Sequence, residues 1–356
     1  MVTAQDQTLD DGDGLLDWSA LQPWLADSPA PGSGPVVACR ELGGGTQNHL
    51  FHLTREDGTT MVLRRPPRHP RPNSNETMLR EAQVLAALSG SDVGRAVPHP
   101  AFHASCDDLS VIGTCFHIGA AIDGFNPGSG LEGRYANDPT WQHALGLSMV
   151  DAIAALAGVD PAAVGLADLG RPDGWLERQA PRWRALLDSY SETEGYDGPD
   201  LPDVNRVGAW LEANRPAAAV IRIIHGDVHL ANVMARHDRP EVAAVVDWEL
   251  TTAGDPRLDL AWILATSRGI GSFPSAAPGF PDWRELVDRY ADRTGLPMDD
   301  LTWWWTLACY KLGIILEGTN ARAAAGRAPA ETGRDFHDRA VRLLTMAGHL
   351  VDGTVT

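Results

Sequence analysis

Three side chains near the middle of this 356-residue chain have the chemistry to act on one phosphate: Asp227 in a His-Gly-Asp segment, Asn232 five residues on, and Asp247 fifteen beyond that. Phosphoryl transfer asks little covalent help of a protein. It needs a positioned acceptor hydroxyl, hard oxygen ligands for metal ions that bridge phosphates, and cations where charge gathers. An aspartate can take the hydroxyl proton, and an asparagine oxygen with a second carboxylate suits Mg²⁺. One such residue alone carries little weight; the three at this spacing define a candidate site.

The elements that must hold them follow from periodicity. Two short apolar runs at 233–235 and 242–246, joined by a turn containing Asp238 and Pro240, predict a hairpin with polar residues clustered just outside its ends. Upstream, runs at 36–42, 49–53 and 60–64, the last pair joined by Glu56-Asp57-Gly58, predict an antiparallel meander. A further strand pair is expected at 110–113 and 116–122. An amphipathic helix is expected at 15–25, and another at 76–88, where Met78, Ala82, Leu85 and Leu88 fall at helical spacing behind Asn73 or Ser74 as cap. From Asp123 the pattern changes to long helices: Asp138-Pro139 opens one carrying Leu145, Met149, Ala152, Ile153 and Leu156, and others are expected at 173–190, 203–214, 282–294, 299–318 and 334–350. The fold class is therefore α+β, with 1–14 disordered, a small sheet-bearing lobe with one main helix at 15–122, a larger, mostly helical lobe at 123–350 and a tail at 351–356.

A formal net charge of -18 opposes nucleic acid or an anionic membrane as partner, because the surface would repel phosphate. No run is long and apolar enough to span a bilayer, and the acidic start MVTAQDQTLDDGDG does not read as a secretory leader; the expected compartment is the cytoplasm. The four cysteines show no pairing or metal-ligand spacing. Of the 29 basic residues only Lys311 is a lysine, so a role usually filled by lysine must be met differently.

The order His-x-Asp, four residues, Asn, hairpin, Asp also matches protein-kinase catalytic loops, with Gly226 where those carry arginine. The segments HGDVHLAN, VVDWE and GDPRLDLAW resemble the aminoglycoside phosphotransferase superfamily. LGGGTQNHLFHL, VLRRPPRHP, MLREAQVLAAL, DLSVIGTCFHI, VGLADLGRPDGWLERQAPRW and YKLGIILEG resemble the subgroup that includes the kinase-like domain fused to acyl-CoA dehydrogenases. Together these segments extend the resemblance over nearly all of 15–350. It implies a protein-kinase-like two-lobed fold and an ATP- and Mg²⁺-dependent small-molecule kinase, with GTP left open as the nucleotide. Asp227 would be the catalytic base, Asn232 and Asp247 the metal ligands, and His225 with Asp259 a structural brace. Glu249 would be a carboxylate behind the metal or at a second one, or a simple capping residue. His229 stands where protein kinases carry a loop lysine, either donating to the transferred phosphate or packing the loop. Arg64, with Glu81 as partner, takes the place of the strand lysine that grips nucleotide phosphates; Arg65 is the competing choice, and an arginine grips differently from a compact ammonium. Gly44, Gly45, Thr46 and Asn48 would belong to the loop covering the phosphates, and backbone near Ala120 and Ile122 would hold the base.

Two other classes are open to these residues. A metal-dependent hydrolase could use His225, Asp227 and His229 as an H-x-D-x-H ligand set, and a non-catalytic nucleotide-binding pseudokinase would account for the missing lysine. The acceptor is a hydroxyl-bearing small molecule: an aminoglycoside, a macrolide or a hydroxyacyl-CoA-like metabolite. Trp303, Trp304, Trp305, Tyr310 and Glu317 are expected on the acceptor side, with at least one tryptophan in the core. The sequence sets no oligomeric state.

Overall fold

Strand alternation lays down the first sheet. In the computed structural model, which describes Leu9 and residues 13–43, 48–270 and 277–354, β1 (Val36–Leu42), β2 (His49–Arg55) and β3 (Thr60–Arg65) form the expected antiparallel meander. Phe51 and Leu53 on β2 stand opposite Leu63 and Met61 on β3, and all four are fully buried. The period of two thus sends one face inward. Helix α1 (Trp18–Asp27), capped by Asp17, lays Leu21 and Leu25 on that core, and Trp24 meets Phe116 edge to face at 4.7 Å between ring centroids.

Helix α2 (Ser74–Gly90) buries the predicted Met78, Ala82, Leu85 and Leu88, and with them the carboxylate of Glu81. A short helix α3 (Asp92–Arg95) leads to β4 (Phe102–Cys106), then α4 (Leu109–Ile112) and β5 (Phe116–Ala120), giving a five-stranded sheet in the order β1-β2-β3-β5-β4. The strand expected at 110–113 is therefore a helical turn. Asp108 accepts the N–H of Ser110 and Gly113 closes the turn with φ +78°, so capping chemistry overrides the apolar run. The partner of β5 on this side is 102–106 instead.

The described residues divide into two units, one comprising residues up to Asp123 together with Ala243–Glu249, the other Gly124–Val242 and Leu250 onward. Ala243–Glu249 is tied to the first unit by Val245 N–H to Pro98 O at 2.8 Å and Trp248 N–H to Glu81 Oε1 at 3.2 Å.

The second unit is built on α5 (Pro139–Ala157), started by Asp138 as predicted, α6 (Trp175–Ser189) and α7 (Val204–Ala213). β6 (Arg222–Ile224) precedes the His-Gly-Asp segment, β7 (Val233–Ala235) follows it, and β8 spans Val242–Val245. β9 (Thr252–Gly254) pairs antiparallel with β6. Helix α8 (Arg257–Leu264), extended by a π-helical turn at Ala265–Gly269, precedes α9 (Trp283–Thr294), α10 (Leu301–Ala324) and α11 (Ala330–Val351). α10 is apolar on nearly every side and lies among α6, α7, α8 and α11, which is how such a helix satisfies its surface. No helix among the described residues is long and apolar enough to cross a membrane.

Candidate active site

In the first unit a single guanidinium joins three carboxylates. Arg64, on β3, points away from the apolar core. Its Nε is 3.1 Å from Glu81 Oε2, an ion pair without hydrogen-bond alignment, and its Nη2 donates to Asp247 Oδ1 at 2.6 Å and lies 3.8 Å from Glu249 Oε2. Asn48 Nδ2 donates to Glu249 Oε2 at 3.1 Å, and Arg80 to the Glu249 carbonyl at 2.6 Å. Burial alone would raise the Glu81 carboxyl, but Arg64, with His117 helping, holds it down at about 2. Burial and the neighbouring Asp247 raise the Glu249 carboxyl against the pull of Arg64. Arg65, the competing choice, turns to the carbonyls of Leu15 and Pro66 and reaches none of these carboxylates.

Asp247 leaves β8 with a left-handed backbone, φ +67°, a conformation that aspartate tolerates better than most residues. Its carboxylate is 35% exposed. Of the other nucleotide-side residues, Ala120 commits its N–H to Ala101 O at 2.8 Å and Ile122 is half-buried beyond the strand end. Gly44, Gly45 and Thr46 lie outside the described residues.

In the second unit the antiparallel pairing of β6 with β9 delivers the His225-Gly226-Asp227 loop, held from beneath by Asp259. The buried Asp259 carboxylate accepts the backbone N–H of His225 at 2.8 Å and of Gly226 at 2.9 Å, and burial raises its carboxyl despite those bonds. His225 is fully buried, and its Nδ1 accepts the N–H of Asp227 at 3.3 Å. Two donors then fix the Asp227 carboxylate: Trp262 Nε1 gives to Oδ1 at 3.0 Å and Asn232 Nδ2 to Oδ2 at 3.0 Å. Burial pushes the Asp227 carboxyl up, but a hydrogen bond and charge from His229, with His225 and Lys311 behind, bring it below the usual carboxylate range. It is ionised at neutral pH.

The orientation of Asn232 matters for a metal. Its Nδ2 is used on the carbonyl and carboxylate of Asp227, so the amide oxygen is turned the other way, as a hard ligand should be. Among the described residues no group of three or more His, Cys, Asp or Glu side chains forms a metal cage, which gives no support to the H-x-D-x-H reading. Mg²⁺ needs no such cage, because it takes one or two carboxylates and completes its shell with phosphates and water.

His229 accepts the N–H of Ala231 on Nδ1 at 3.2 Å, which leaves Nε2 as the donor in the neutral ring; Nε2 lies 3.5 Å from Asp227 Oδ1. The same ring opens onto a cavity of about 310 Å³ walled by Met149, Leu230, Ile263, Phe280, Trp283 and Leu286, with Thr266, Ser267, Arg268 and Asp282 as its polar groups. None of the residues expected on the acceptor side lines it. Trp303, Trp304, Trp305 and Tyr310 are core, and Glu317 is fully buried between Tyr196, Asn320 and His337. All three tryptophans are buried because α10 is packed around its whole circumference. Trp262 and Lys311, which bear on the Asp227 loop, had no role assigned from sequence. The one signal was that Lys311 is the only lysine.

The architecture is α+β, of the protein-kinase-like two-lobed kind, and the class to which this fold points is that of the kinase-like phosphotransferases. A chain from Ralstonia eutropha JMP134, provisionally described as an aminoglycoside phosphotransferase, superposes with a TM-score of 0.78 at 30% identity, over 96% of this chain and 99% of that one. The chain belongs to the phosphotransferase enzyme (APH) family, whose profile matches residues 38–301. The macrolide 2′-phosphotransferase of Brachybacterium faecium shares the fold at 21% identity and a TM-score of 0.56, over 87% of this chain and 98% of that one. In sequence, acyl-CoA dehydrogenase family member 11 of Gallus gallus is 29% identical over 317 residues, or 85% of this chain. The chain spans 39% of the length of that relative.

Proposed function

We propose that the chain transfers the γ-phosphoryl group of ATP to a hydroxyl of a small molecule, with Asp227 as base. The observation that carries this reading is the Asp227 carboxylate itself: ionised, with Trp262 on one oxygen and Asn232 on the other. An aspartate so held accepts a hydrogen bond from an incoming hydroxyl and aligns it, and a weak base suffices where the proton moves late in a loose transition state. Asn232 and Asp247 would hold Mg²⁺, which when bound neutralises charge on the bridging phosphate oxygens. Arg64, kept in place by Glu81, would contact the nucleotide phosphates, and His229 Nε2 would donate to the transferred group.

The cavity beside His229 favours an acceptor with an apolar body. A polycationic aminoglycoside needs several carboxylates, whereas Asp282 is the one acidic residue among those described in the wall and already caps α9 through the N–H of Arg284 at 2.9 Å. A hydroxyacyl thioester fits that wall better. The test is ADP release with Mg-ATP against a panel of aminoglycosides, macrolides and hydroxyacyl-CoAs. Hydroxyacyl compounds should turn over fastest, and Asp227→Asn should bind Mg-ATP with unchanged affinity while losing about 10³-fold or more in turnover. Retained turnover in Asp227→Asn would show that another group is the base, and preferred turnover of aminoglycosides would overturn the acceptor reading. A chain that binds ATP but phosphorylates nothing, and whose slow ATP hydrolysis does not depend on Asp227, would support the pseudokinase alternative.

A further inference from the structure

Lys311 is the chain's sole lysine, and it is buried in the interior of the second unit, on α10. Its ammonium lies 4.4 Å from the ring centroid of Trp262 and 5.4 Å from that of Trp183, and it donates to the carbonyl of Gly226 at 3.4 Å. An ammonium seated between two indole faces and ending on one carbonyl is compact in a way that the broad, planar guanidinium is not, which gives a physical reason for a lysine here in a chain otherwise committed to arginine.

Two of these three contacts lead to Asp227. Gly226 is the residue before it, and the indole of Trp262 is the group that donates to Asp227 Oδ1 at 3.0 Å. A cation over an indole face draws electron density from the ring and makes its N–H a stronger donor. We infer that protonated Lys311 is a positioning residue for Asp227, holding the loop carbonyl and the Trp262 indole so that the carboxylate faces the acceptor, and that turnover depends on its charge. The inference rests on the proposal that Asp227 is the base. The ionisable groups acting on Lys311 are Asp227 in the loop and Asp259 on α8, which favour its charge, and Arg182 on α6, which opposes it. Burial outweighs the carboxylates and brings the ammonium down to about 8, so the charge is lost within the range where an enzyme can be assayed.

A chain labelled with [ε-¹³C]lysine gives a single lysine side-chain resonance, and its titration can be set beside the pH profile of Mg-ATP hydrolysis with water as phosphoryl acceptor. The expected result is an alkaline fall in kcat whose midpoint coincides with the lysine titration near pH 8. Lys311→Met should lose about tenfold or more in kcat with the KM for ATP within about twofold, and its residual rate should not fall where the wild-type rate does. Asp227→Asn should move the lysine midpoint down, since a favourable charge has gone. A wild-type kcat that stays level through the lysine titration, or Lys311→Met with full kcat, overturns the inference. Should the methionine variant not fold, the coincidence of the two midpoints in the unaltered chain decides. Failure of the base assignment is read separately: Asp227→Asn that still hydrolyses ATP sinks that proposal, whereas an inactive Asp227→Asn beside a fully active Lys311→Met sinks only this one.

Discussion

Asp247 combines two demands in one residue, a carboxylate for a cation and a backbone at φ +67°. They can be separated by choice of substitution. Asparagine tolerates the left-handed region and keeps the size of the side chain but loses the charge, whereas alanine has no side-chain oxygen to hydrogen-bond locally and so nothing to offset the penalty of about 1 kcal/mol that any Cβ meets there. Asp247→Asn should therefore cost about 1 kcal/mol of stability by weakening the bond from Arg64, and lose Mg²⁺-dependent nucleotide affinity by about tenfold or more. Asp247→Ala should add a further loss of stability to the loss of binding. Isothermal calorimetry with Mg-ATP, beside thermal melts, checks both, and unchanged Mg-ATP affinity in Asp247→Asn would falsify the metal assignment.

The element that positions the candidate base is a loop with no room to move. Gly226 has φ +85°, and a Cβ added there would lie 2.8 Å from the carbonyl oxygen of Leu250. Gly226→Ala should lower stability by about 2–4 kcal/mol and depress kcat more than the KM for ATP, because the strain falls on the peptide that carries Asp227; a fully active alanine variant would mean that the loop geometry is not critical. How much of this was legible in the sequence depended on whether an element has two faces. The meander, the helix expected at 76–88, the one opened by Asp138-Pro139 and the one expected at 282–294 could be read because each buries one side. Helix α8 was not foreseen as a helix because all eight of its residues are buried and eight residues are too few to show a period without a polar face, whereas α10, also packed on nearly every side, is long enough that a helix was expected at 299–318. The strand expected at 110–113 failed for a local reason, the caps at Asp108 and Gly113. Asp227, Asn232 and Asp247 could be picked out because their residue types stand at short separations in the chain, five and then fifteen residues apart. Trp262 was not: it is 35 residues downstream of the carboxylate to which it donates, and only the packing of α8 brings it there.

For the molecule as a whole, Lys311 sets stability against activity. The lysine titrates near 10.5 when unfolded and at about 8 when buried, so below pH 8 both states carry the proton and the fold bears the whole cost of burying the charge. As pH rises from about 8 towards 10.5, the folded chain sheds the proton before the unfolded chain does. The unfolded state then binds more protons, and the sign of linkage makes stability increase through that window. The separation corresponds to a cost of about 3 kcal/mol at neutral pH. Lys311→Met, of similar volume and without charge, should therefore be more stable than the wild type at pH 7 by about 1–3 kcal/mol, and the difference should shrink towards zero by about pH 10. Denaturant melts of both chains at pH 7, 8.5 and 10 measure the gap directly. Taking the difference between the two chains cancels the self-repulsion that a molecule with a formal net charge of -18 accumulates as its tyrosines and cysteines ionise. A gap that is absent at pH 7, or that widens with pH, would mean that the ammonium is stabilised where it sits, and a variant that is both more stable and slower would show that the buried charge is kept for turnover rather than for folding.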